Sequence, residues 1–116
     1  VAKYRAVLVE MDSQRIEHGG KPQSWNRLVH RMQALQLQLG ATQEGRDAIT
    51  ALISDENPTV RSWSALNALA WAESVARAEL EREVETDSGL RGFEAEVVLR
   101  EFDAGRLNTG WMPKTT

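Results

Sequence analysis

The sequence predicts an all-α domain of about five to six helices, stacked as antiparallel pairs. Three observations carry this expectation. Apolar residues recur at helical spacing along nearly the whole chain, strand signals are almost absent, and the connections between apolar-periodic segments are short. No sustained apolar–polar alternation occurs, and no Asn-Gly or Asp-Gly step joins β-branched runs. At 116 residues with 41% hydrophobic content, the chain is long enough for one domain with its own core.

Tyr4, Val7, Leu8 and Met11 form one face of a first helix, which the Gly19–Gly20 pair should end. In the second, Trp25, Leu28, Val29, Met32, Leu35 and Leu39 follow the i, i+3, i+4, i+7 rule. Pro22 or Ser24 is placed to open that helix and Gly40 to close it. A shorter third helix carries Ala48, Ile49, Leu52 and Ile53 on one side. Asn57–Pro58 marks the start of a fourth: Asn57 can cap free amides, and Pro58 at the first helical position loses no hydrogen bond. This helix is expected to run to about Trp71. A fifth, from Glu73 to Asp87, is expected to bury Val75, Leu80 and Val84. After Gly89 a sixth carries Phe93, Val97, Val98 and Phe102. The domain is thus expected to span residues 1–107, with an irregular tail over 108–116 that includes Trp111.

The stretch Leu52-Ile53-Ser54-Asp55-Glu56-Asn57-Pro58-Thr59-Val60-Arg61 is the most specific in the chain. One amphipathic helix ends in it and Asp55 can accept backbone amides in the turn. Asn57–Pro58 then starts the next helix, Val60 drops into the core, and Arg61 can lie back across the turn towards an aspartate. This stretch resembles the inter-helix turn of HEAT repeats, whose units bury their faces by stacking on neighbours. The fold class expected is therefore a HEAT-like stack, a fragment of an α-α superhelix. Asn26-Arg27-Leu28, Asn57-Pro58 with Val60-Arg61, and Leu99-Arg100-Glu101-Phe102-Asp103-Ala104-Gly105 together resemble the bacterial domain of unknown function 2019, from about Leu8 to Leu107. That resemblance implies a small HEAT-like helical domain and no established chemistry. Two features depart from it: the tail from Asn108 is longer, and Trp63 stands where the pattern is usually polar.

The absence of cysteine excludes disulfides, thiolate metal sites and a cysteine nucleophile. The formal net charge is −3, unevenly spread. Residues 1–43 hold six Lys/Arg against three Asp/Glu, whereas residues 73–87 hold two against six. A basic first half joined to an acidic second half argues against a simple nucleic-acid binder, for which Arg5, Lys21, Arg27 and Arg31 are the available residues. No apolar run approaches membrane-spanning length and no signal-peptide pattern opens the chain, so a cytoplasmic location is expected.

No catalytic constellation emerges. His18 and His30 sit in no His-Glu-x-x-His pattern, Gly19-Gly20-Lys21 lacks the strand and spaced glycine of a phosphate-binding loop, and no Gly-x-Ser-x-Gly elbow occurs. No catalytic, cofactor-binding or metal-ligating residue is nominated, and no cofactor is expected. Two features suggest a surface for binding. Carboxylates crowd the fifth helix, where Glu79 and Glu83 are expected on a solvated acidic face suited to a basic partner. On the fourth helix, Val60, Ser64, Ala68 and Trp71 fall on one side while Trp63, Leu66 and Ala70 form a stripe opposite. Trp63 would be the anchor of such a stripe, and Trp25 and Trp71 read as core residues. The function expected is a non-enzymatic protein-binding module, in its most concrete form an immunity protein that occludes a toxin. A homodimer built on Trp63 and Leu66 is the alternative.

Overall fold

The structure, a computed structural model, describes residues 1–15 and 19–107. The expectations for His18, for the tail 108–116 and for Trp111 lie outside the described residues. Six α-helices follow one another: α1 (Ala2–Ser13), α2 (Pro22–Gly40), α3 (Gln43–Ala51), α4 (Pro58–Ala68), α5 (Glu73–Thr86) and α6 (Leu90–Asp103), with a 3₁₀ turn at Leu52–Ser54 between α3 and α4. No strand occurs among the described residues. Consecutive helices pack side by side, and α1 crosses onto α4 to close the stack.

Several helix ends have a local cause. Pro22 opens α2 with its fixed φ and missing N–H at a position that needs no donor. Thr42 caps α3 by accepting the Gly45 amide at 3.0 Å. Gly105, at φ +73°, lets the chain reverse after α6, so that the Gly105 amide bonds the Phe102 carbonyl and the Arg106 amide the Glu101 carbonyl.

The turn before α4 is built as its sequence suggests, with one redistribution. Asn57 Oδ1 accepts the amides of Thr59 and Val60 at 2.9 and 3.2 Å, and Asp55 Oδ2 accepts the Asn57 amide at 2.9 Å. Val60 is wholly buried. Arg61 does lie back across the turn, but Nη1 donates to the backbone carbonyls of Asp55 and Glu56 instead of a carboxylate. The Asp55 carboxylate receives Arg5 from α1 in a two-pronged pair at 2.9 and 3.0 Å. That Arg5 bond, then burial opposing it, then the Asn57 amide, leave its carboxyl below the usual range.

The core runs through Tyr4, Leu8 and Met11 of α1, Met32 of α2, Ile49 of α3, Val60, Ala65 and Ala68 of α4, and Leu80 of α5. Tyr4, Ser64 and Asn67 pair with one another inside it. Asn67 donates to the Tyr4 hydroxyl at 2.9 Å, and Ser64 Oγ stands 3.4 Å from the same oxygen. Burial drives the Tyr4 pKa up to about 12 against the pull of these two bonds.

On α5 the expected stripe is corrected. Leu80 is buried as expected, but Val75 and Val84 are 53% and 37% exposed, and Ala76 and Glu83 face inward with Leu80. Those three follow i, i+4, i+7, so the periodicity was present but ran through a carboxylate. On α6, Gly92 and Ala95 are buried and Val98, Leu99 and Phe102 pack on the core, while Phe93 is 57% exposed.

Candidate functional site

The surface opens between α4 and α6, beside the buried Ala95. The result is a groove of about 310 Å³ walled by Trp63 and Leu66 of α4, Leu80 of α5, and Phe93, Val97 and Val98 of α6. One edge is polar, with Arg15, Ser62, Glu83, Arg91 and Glu94. An apolar trough with a few convergent polar groups at one end is the usual form of a binding site.

Trp63 is half-buried. Its ring stands 6.4 Å from that of Trp25 on α2, tilted by 50°, so one side is covered from within the chain and the other faces the groove. Leu66 is half-buried beside it. The second apolar side of α4 is therefore partly internal packing and partly groove wall. Trp25 and Trp71 are also half-buried, and Trp71 Nε1 donates to Thr50 Oγ1 at 3.0 Å.

The acidic face expected around Glu79 and Glu83 is corrected as well. Glu83 is 3% exposed and turns into the α4–α5 contact, where its carboxyl meets Ser62 Oγ at 2.6 Å. Glu79, one turn earlier, is held by Arg82 at 2.6 Å and lies 3.6 Å from Arg61 Nε. The two carboxyls lie one turn apart and act on each other's titration, and Glu83 Oε2 is buried without a hydrogen-bond partner. Burial, then the Glu79 contact, push Glu83 up to about 8, against the Ser62 bond and Arg91. Burial also acts to raise Glu79, but the Arg82 bond and the nearby Glu83, with the charges of Arg82 and Arg61, leave it below the usual range. Their i, i+4 spacing on α5 is what brings the two acids side by side.

Arg91 ties the polar edge to the body. Its Nη1 reaches Thr59 Oγ1 at 3.3 Å, and Nη2 lies 3.7 Å from Asp12, which itself accepts from Thr59 at 2.6 Å. Burial, then the charge of Arg15, lower the Arg91 pKa. Arg15, 4% exposed, joins Glu94 at 2.8 Å. The sequence reading missed Arg15, Ser62, Arg91 and Glu94 because each comes from a different segment and no local spacing joins them. Phe93 was recognised as apolar, but its position on the rim depends on how α6 is rotated.

Among the described residues, no group of three or more His, Asp or Glu side chains converges as a metal site, and no helix is long and apolar enough to cross a membrane. Of the arginines available to a nucleic-acid surface, Arg27 and Arg31 are exposed on α2, whereas Arg5 is engaged by Asp55.

No family model and no curated protein matches the chain. Among solved structures, it is similar to the protein RPA1889 from Rhodopseudomonas palustris CGA009. The two share a TM-score of 0.80 and 28% identity over 97% of this chain and 89% of that one. The shared fold is an all-α helical stack; a locus name assigns no activity to either protein.

Proposed function

We propose that this protein is a non-enzymatic protein-binding module whose docking surface is the groove between α4 and α6. The observation that carries the reading is Phe93, a large aromatic side chain 57% exposed on the rim of an apolar trough floored by Trp63 and Leu66. The occupant is a protein segment with an apolar anchor and a basic flank. Residues 73–107, which form α5, α6 and the turn after them, hold ten carboxylates against five arginines, and Glu81, Glu85 and Glu96 stand exposed. The basic-partner expectation thus moves from Glu79 and Glu83 to these outer acids. The buried carboxyl pair has the look of acid–base machinery, yet Glu83 is committed to Ser62 and Glu79, which supports a packing role.

Within this reading, an immunity protein that occludes a toxin is the most concrete form, and membership in the domain of unknown function 2019 family fits the same helical frame. Co-expression with each adjacent gene product tests it. One product should arrest growth alone, growth should recover with the wild-type chain, and Phe93→Asp should reduce recovery at least tenfold while staying folded. Equal rescue by both chains would reject the groove, and no toxic neighbour would reject the immunity form. Self-association is the second reading, favoured by Leu90 and Phe93 standing exposed nearly one turn apart on α6. Light scattering separates the two: a dimer dissociated by Phe93→Asp supports self-contact, whereas a monomer at all concentrations excludes it.

A further inference from the structure

The geometry points to the Glu79–Glu83 pair as a proton-operated latch that holds α5 against α4 at the polar edge of the groove. Three observations converge. Glu83 is 3% exposed, in a place where an ionised carboxylate would lose its hydration. Its Oε1 lies 2.6 Å from Ser62 Oγ, whereas Oε2 is buried with no N–H or hydroxyl donor to satisfy it. The group facing it one turn back is another carboxylate, Glu79, whose side chain is only 10% exposed and already bound by Arg82. Two acceptors in contact repel, and a single proton between them converts that contact into a hydrogen bond. With Glu83 protonated, Oε2 donates to Glu79 and Ser62 donates to Oε1, so every polar atom of the pair is used.

The charged groups around the latch fix which acid keeps the proton. On α5, Arg82 contacts Glu79 at 2.6 Å. From α4, Arg61 stands 3.6 Å from Glu79, and the Ser62 hydroxyl meets Glu83 at 2.6 Å. From α6, Arg91 acts on Glu83 through space and lies 3.5 Å from the Ser62 hydroxyl, while Glu94 is held by Arg15. Asp12 of α1 sits behind Arg91 at 3.7 Å and offsets its charge. Two arginines therefore favour ionised Glu79, and Glu83 is left with burial and a weak cation. When the proton leaves to solvent, Glu83 becomes a buried anion beside an anion. The contact is then broken, and the side chain is driven towards Arg91 and the groove it lines. This device stands whatever the groove binds.

Carboxyl-carbon NMR on protein labelled at glutamate tests the latch, with Glu83→Gln and Glu79→Gln beside the wild type. The Glu83 resonance should titrate above pH 7 in the wild type, and in Glu79→Gln its inflection should fall by more than one pH unit. Amide exchange in α5, corrected for intrinsic base catalysis, should quicken at least tenfold above the Glu83 inflection in the wild type. It should stay flat in Glu83→Gln, which keeps both hydrogen bonds without an ionisable group. A Glu83 inflection below pH 5.5, or the same exchange profile in wild type and Glu83→Gln, would overturn the proposal.

Discussion

Asp55 shows how much one carboxylate can organise: it takes Arg5 from α1, the amide of Asn57, and the proximity of Arg61, all at the start of α4. Asn57 beside it satisfies two amides that no carbonyl of the helix can reach. Replacing it with Ala should cost about 1 kcal/mol. For a domain of this size that corresponds to a fall in Tm of roughly 4 °C or more by calorimetry. Glu83 predicts a pH dependence of opposite origin. Its folded pKa lies near 8, above the ordinary 4.5, so the native chain holds a proton that the unfolded chain has released. Stability from this group is complete below the unfolded value and is lost as pH rises through the folded one. Glu83→Gln should therefore flatten the decline between those limits and raise Tm by roughly 5 °C at pH 8.5. Thermal melts of both chains across pH 5 to 9 check this.

At the level of elements, α2, α4 and α6 were legible through their punctuation, with Pro22, Asn57–Pro58, Gly89 and Gly105 at boundaries, whereas α1 and α5 start without a side-chain cap. The buried face of α1 could be read residue by residue, since Tyr4, Val7, Leu8 and Met11 have no polar competitor. That of α5 could not. Val75 and Val84 signal an apolar face with Leu80, but Leu80 is buried together with Ala76 and Glu83, and Ser62 of α4 bonds one oxygen of the acid. Rotation of a weakly amphipathic helix is set by its neighbours, and the same freedom hid the exposure of Phe93. Gly92 fixes the α5–α6 crossing: a Cβ there would run into the Asp87 carbonyl and press on that of Glu83. Gly92→Ala should therefore destabilise by about 2 kcal/mol, read as a lowered urea midpoint with unchanged slope.

For the whole molecule, the stack joins a core of ordinary apolar residues to a polar seam that runs from Asp12 through Thr59, Arg91 and Ser62 to Glu83. The seam draws on α1, α4, α5 and α6, so it exists only once they are assembled, and no sequence pattern could announce it. The apolar half of the groove was partly foreseen through Trp63 and Leu66, whereas the α6 wall was not. Charge follows a similar course, since the acidic excess of the second half was plain and its outward-facing members were not. The direct measurement is calorimetric titration of the wild-type chain and of Phe93→Asp with each adjacent gene product. One product should bind the wild type with a Kd on the order of 1 μM or tighter, as a compact interface allows, and bind Phe93→Asp at least tenfold more weakly. Equal binding to both chains, or no binding by any product, would contradict the docking groove.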